Sequence, residues 1–261
     1  MSHIKGMLAA PGGADCVVMN KPQFKLLIVL GLIAITATAT LWILVGRDGT
    51  RHPAEDNHPP VSPDAQIKAR AAAGDREAQF ALGRWHLDPT GSVRNYTLAA
   101  HWLTKAAAGG RAEAQYLMGT LYEAGQGVER SPSNALMWFE RAAVQQHAGA
   151  CYNLGSMYAA GRGVDHDSAR AAKYYMQAAE LGDALAQFNV AQRYQLGRGV
   201  DTNLVESWKW YSLAAKGGVP DAQRVLPAVE SHLSRKQLHD ARRAVEEFLK
   251  RTSNLAPQNS R

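Results

Sequence analysis

The pentapeptide GRGVD occurs twice, at residues 161–165 and 197–201. Two glycines flanking an arginine suit an anion loop, because glycine lets backbone N–H groups close around a phosphate. Such a cradle leads from a strand directly into a helix, whereas here a helical pattern precedes it. Other chemistry-bearing residues are more scattered. His166 stands before Asp167 as a base before its orienter, but adjacent residues on a turn seldom face each other. The nine histidines form no HExxH pattern and none lies near a zinc-spaced cysteine pair. No nucleophile elbow, Walker A motif or dinucleotide fingerprint is present, so the sequence implies no catalytic residue, no cofactor and no metal. Asn95-Tyr96-Thr97 is a glycosylation sequon, relevant only in a eukaryotic secretory route, and Asn95 reads first as a helix cap.

The two copies of GRGVD start 36 residues apart, and that step recurs. Ala78, Ala114, Ala150, Ala186 and Ala222 fall on it, followed by Gln79, Gln115, Cys151, Gln187 and Gln223. The aromatics Phe80, Tyr116, Tyr152 and Phe188 come next, then Leu82, Met118, Leu154 and Val190, then Gly83, Gly119, Gly155 and Ala191. Trp102, Trp138, Tyr174 and Trp210 align further on, as do Ala106, Ala142, Ala178 and Ala214. A period of this length sustained over so many columns is the signature of a solenoid. Each unit reads as two helices. Ala150, Leu154 and Tyr158 are four apart and share one helical face, which ends at Gly161. Asn95, Ser131, Asp167 and Asn203 are N-cap residues for the second helix, with Pro132 at the first helical position after Ser131.

The pattern A-x-A-Q-[FY]-x-[LM]-G-x-x-Y-x-x-G-x-G-V, followed by A-x-x-[WY]-[YF]-x-x-A-A, resembles the Sel1-like repeat, a relative of the tetratricopeptide repeat. The resemblance covers residues 65–222 in four units, with residues 223–250 as capping helices and 251–261 as a disordered tail. The first unit departs at LDPTGSV (87–93), which replaces the glycine turn. The resemblance implies an all-α fold, a right-handed superhelix of antiparallel helix pairs that binds other proteins, and no catalytic residues.

Residues 26–46 (LLIVLGLIAITATATLWILVG) carry no charge. As a helix they reach about 31 Å, enough to cross a bilayer. This predicts a head at 1–25, a single transmembrane anchor at 26–46, and a proline-rich tether at 47–64 holding Pro53, Pro59, Pro60 and Pro63. Lys21 and Lys25 on one side balance Arg47 and Arg51 on the other; the short head favours a cytoplasmic N-terminus and periplasmic repeats. Translation from Met19 would also give a short basic head. Cleavage after Ala39, in the A-x-A pattern Ala37-Thr38-Ala39, would instead yield a secreted protein. With the anchor in place, Cys16 and Cys151 lie on opposite sides of the membrane, and Cys151 reads as a packed thiol in the glutamine column.

Net charge is +6. The basic cluster Arg235, Lys236, Arg242, Arg243, Lys250 and Arg251 is interleaved with Glu230, Asp240, Glu246 and Glu247, the pattern of a solvated cap helix, and no nucleic-acid partner is expected. In tetratricopeptide-like arrays the outward face of each first helix lines a concave groove. Helical angles place Arg84, then Leu117 and Thr120, Asn153 and Ser156, and Asn189 and Gln192 on that face, flanked by the rings of Phe80, Tyr116, Tyr152 and Phe188. These are the candidate contacts for a protein or peptide partner. The leading expectation is a membrane-anchored, non-enzymatic adaptor in a bacterial envelope. The rivals are a hydrolase of cell-wall fragments, for which Glu113 and Glu123 lie about ten residues apart on one helix with no clear partner in the next unit, and a secreted host-directed effector.

Overall fold

The computed structural model describes residues 65–88 and 94–255. All regular structure among the described residues is helical. The helices are α1 (Ala65–Ala72), α2 (Arg76–Leu87), α3 (Tyr96–Ala108), α4 (Ala112–Ala124), α5 (Pro132–Val144), α6 (Ala148–Ala160), α7 (Ser168–Glu180), α8 (Ala184–Leu196), α9 (Leu204–Lys216), α10 (Pro220–Glu230) and α11 (Arg235–Leu255). The helices from α1 to α10 pack chiefly on their sequence neighbours, the nearest-neighbour architecture of a solenoid, and α11 packs back on α9. Among the described residues no helix is long and apolar enough to cross a membrane; the segment 26–46 lies outside them, as do the tether and most of the 87–93 turn.

Local chemistry sets the helix ends where the sequence places them. Asn95, Ser131, Asp167 and Asn203 each accept a backbone N–H from the first turn of α3, α5, α7 and α9. Gly161 closes α6 in the left-handed conformation at φ 66°, a geometry that costs glycine nothing. α1 occupies the phase of a second helix one step before α3, so the helix pairs begin at Arg76, behind the N-cap Asp75, rather than at residue 65. At the other end, α11 runs through Leu255, so the tail expected to be disordered from residue 251 is helical for five residues more. Thr252 Oγ1 bonds back to the Phe248 and Leu249 carbonyls, and no glycine or proline interrupts the chain before Pro257. Ser234 and Gln237 open this helix with a reciprocal capping box.

Close approach of the two helices in each unit depends on the small-residue column. A Cβ on Gly119 would stand 2.5 Å from Phe139 Cε1, and one on Gly155 would stand 2.8 Å from Tyr175 Cδ1. Leu103, Phe139, Tyr175 and Tyr211 form a buried column one position beyond Trp102, Trp138, Tyr174 and Trp210. The glutamine column has a distinct task. Gln79, Gln115, Gln187 and Gln223 donate from Nε2 to the carbonyls of Ala71, Ala107, Ala179 and Ala215, stitching each first helix to the end of the preceding second helix. Cys151 replaces the glutamine between α5 and α6; it is a free, buried thiol, and burial pushes its pKa up.

The turn between successive units carries one visible flaw. Gly74, Gly110, Gly182 and Gly218 take positive φ with no atom near where a Cβ would be, but Gln146 takes that place in the third turn at φ 60°. The left-handed conformation costs a side-chain-bearing residue about 1–2 kcal/mol, partly offset by the extra freedom glycine has when unfolded. Gln146→Gly is therefore expected to stabilise the protein by about 1 kcal/mol. Chemical denaturation measures this, and a lower unfolding midpoint would refute it.

Candidate functional site

The outward faces of α2, α4, α6 and α8 hold every residue that the sequence assigns to the groove, and the structure treats these residues unequally. Arg84 is exposed, with its guanidinium carbon 5.8 Å from the Phe80 ring centre, and lines a cleft of about 520 Å³ with Glu77, Ala81 and Trp85. Leu117 is half-buried against the core, and Thr120 turns its hydroxyl back onto the Leu117 carbonyl at 2.7 Å. Asn189 likewise donates to the Leu185 carbonyl at 2.9 Å. The side-chain amides of Asn153 and Gln192 have no hydrogen-bond partner among the described residues. Phe188 and Tyr152 stand half-buried, edge-on to Tyr211 and Tyr175 respectively.

Charges on these faces are paired between units. Arg111, ahead of α4, pairs with Glu77 and lays its guanidinium 3.8 Å from the Phe80 ring centre. One unit on, His147 repeats the arrangement: its ring stacks on Tyr116 at 4.4 Å and Nε2 meets Glu113 Oε2 at 2.8 Å. His147 Nδ1 accepts the Ala150 N–H, which leaves the proton on Nε2 to donate to that carboxylate. Burial first, and the Glu113 carboxylate second, push the Tyr116 phenol up, with Asp183 and Glu123 acting the same way.

Arg162, in the first GRGVD, is committed to partners in the structure. Its guanidinium bonds Glu123 Oε1 at 2.5 Å and Ser156 Oγ at 2.8 Å, so the arginine of the first GRGVD ties the second unit to the third. Arg198, its counterpart, has Ala159 where Glu123 would be, so no acid waits for it there. The glycines hold no anion cradle; they close α6 and α8. Glu113 and Glu123, the two acids weighed for hydrolysis, are each bound to a basic side chain. Among the described residues no cluster of His, Cys, Asp or Glu is placed to hold a metal ion.

The Sel1 repeat family model matches residues 76–110, 112–147, 148–183 and 184–219. These segments make up more than half of the 261-residue chain. The chain belongs to the Sel1 repeat family. Among solved structures, a Sel1 repeat protein from Oxalobacter formigenes is 30% identical with a TM-score of 0.57, over 62% of this chain and 66% of that one. A protective antigen present in uropathogenic Escherichia coli strains, with an SLR fold, is 27% identical with a TM-score of 0.64, over 75% of this chain and 44% of that one. The chain thus spans about two thirds of the first and under half of the second. A search of curated proteins returns no match.

The matched Sel1 repeats coincide with the helix pairs that start at Arg76, leaving α1, α10 and α11 as flanking helices. Reading the columns as packing alone missed the charged layer between Sel1 repeats. Its signal was present in the sequence: Glu77 with Arg111 and Glu113 with His147 share one offset of 34 residues, one period less two.

Proposed function

We propose that this Sel1 repeat protein is a non-enzymatic adaptor, held at the bacterial cell membrane by residues 26–46, whose groove binds an extended segment of an envelope protein. Repeats of this family generally serve protein–protein interaction. The observation that carries the groove reading is the state of Asn153 and Gln192. Both amides lie on the outward faces of consecutive first helices, 39 residues apart, uncommitted to any internal partner, and there they can bond a peptide backbone without demanding its sequence. Their neighbours Thr120 and Asn189 are satisfied within their own helices. The anchor reading rests on the 21 uncharged residues at 26–46.

Photo-crosslinking in living cells tests both parts. A benzoylphenylalanine at Asn153 is expected to trap a discrete protein, and one at Lys173, exposed on the far helix α7, is not. The adduct is expected in membranes that resist alkaline washing. Identical adducts from both positions, or none from Asn153, would overturn the groove; an adduct released by the wash would overturn the anchor.

A further inference from the structure

The groove rings Phe80, Tyr116, Tyr152 and Phe188 are each followed, 31 residues later, by the residue that begins the next unit: Arg111, His147, Asp183 and Val219. In the first two units that residue is a lid. Arg111 covers Phe80 and His147 covers Tyr116, and each lid is held by a carboxylate, Glu77 or Glu113. In the third unit both parts of the lid are missing together. Asp183 stands where the basic group should be and Gly149 where the carboxylate should be. Tyr152 is left half-buried with Tyr175 as its one ring contact and no cation over it among the described residues. Asp183 uses one oxygen, at 2.7 Å, to cap the Ala186 N–H, and its second oxygen has no partner among the described residues.

We propose that the Tyr152 face between α6 and α8 is a seat for an arginine side chain carried by the protein partner, with Asp183 as its counter-ion. This rests on the groove reading above and gives that partner its chemistry. The molecule itself shows which group fits: the same slot takes a guanidinium in the first unit and an imidazole in the second. An aromatic face with an adjacent carboxylate attracts a planar cation by its quadrupole and by charge together. Asp183, Glu113 and Glu123 all act on the neighbouring Tyr116 phenol, so this stretch of groove is bordered by carboxylates. The arginines on the Tyr175 side are already engaged. Arg162 is bound by Glu123 and Ser156, and Arg193 donates to the Ser168 and Arg198 carbonyls. In the fourth unit the lid position is the apolar, buried Val219, so the seat is particular to the third.

The test uses the full chain in detergent and two small probes, N-acetyl-arginine amide and the uncharged isostere N-acetyl-citrulline amide, followed by saturation-transfer NMR. The arginine probe is expected to bind at least about tenfold more tightly than the citrulline probe. Tyr152→Ala and Asp183→Asn are each expected to weaken it by at least about tenfold, and asparagine keeps the N-cap of α8 intact. Asp183→Arg supplies the lid from within, as Arg111 does, and is expected to abolish binding. Equal affinity for the two probes, no binding of the arginine probe, or unchanged binding by Tyr152→Ala would overturn the proposal. If the Asn153 adduct forms undiminished in Asp183→Arg, the groove stands and the arginine seat does not.

Discussion

Ending the chain after Leu233 is expected to melt the last repeat while leaving the first ones folded. α11 buries Ala241, Val245 and Phe248 against α9 and α10, and the Phe248 ring meets Trp210 edge-on at 5.4 Å. Removing it uncovers Trp210, now only 2% exposed, and takes Arg242 from Glu230, which itself holds the Trp208 indole N–H. Losing a buried Phe and Val and the apolar surface they cover costs on the order of 5 kcal/mol. In a compact domain that would exhaust much of a total stability of about 5–15 kcal/mol. In a solenoid the loss is borne mainly by the neighbouring unit, because stability is a sum over units and their interfaces. Amide exchange in α9 is therefore expected to accelerate by at least about a hundredfold, that in α5 to change little, and soluble yield to fall. Unchanged protection in α9 would show that α11 is an appendage and not a cap.

The repeat, the helix pairing and the second-helix caps were legible because each is a column property: one residue type recurring at one step, with one local physical cause. Asn95, Ser131, Asp167 and Asn203 all cap as their side chains dictate. What escaped was whatever two different columns do together. Phe139 against Gly119 and Gln115 against the Ala107 carbonyl are contacts between unlike residues on separate helices, and a column read alone carries no sign of its partner. Arg162 escaped because its acid, Glu123, occurs in one unit only, so no recurrence points to it. Which positions share the outward face of each first helix was legible, since 100° per residue fixes them. Which of those side chains are free was not, because Thr120 and Asn189 satisfy themselves on their own helices while Asn153 and Gln192 do not. The boundary at residue 251 was misplaced for a local reason: charged residues near a terminus resemble a solvated tail, but the apolar spacing of Ala241, Val245 and Phe248 carries the helix past it.

Gly199→Ala is expected to be among the most damaging single methyl additions the molecule can receive. Two effects combine at this residue, the second glycine of GRGVD. Its φ is +79°, where a Cβ costs about 1–2 kcal/mol by itself. The added carbon would also stand 2.0 Å from the Ser168 carbonyl oxygen and 2.3 Å from its carbon, both backbone atoms in the first turn of α7. That turn is pinned by the Asp167 cap, and the same carbonyl accepts from Arg193, so the clash is relieved only by parting the third and fourth repeats. A loss of about 3 kcal/mol or more is expected. Gly161→Ala separates the two contributions, because Gly161 has the same handedness at φ 66° but its nearest neighbour would be 3.5 Å away. It should lose only the conformational part, about 1–2 kcal/mol. Denaturant unfolding of the two variants side by side decides the matter, and equal losses would mean that the glycine serves the turn alone. If the larger loss is found at Gly199, the glycine pair has two separate duties: the first ends a helix, and the second lets the turn lie directly on the start of the preceding second helix. Gly127 against Tyr96 and Gly163 against Pro132 repeat that contact one step apart, so the spacing of the solenoid is set where backbone meets backbone.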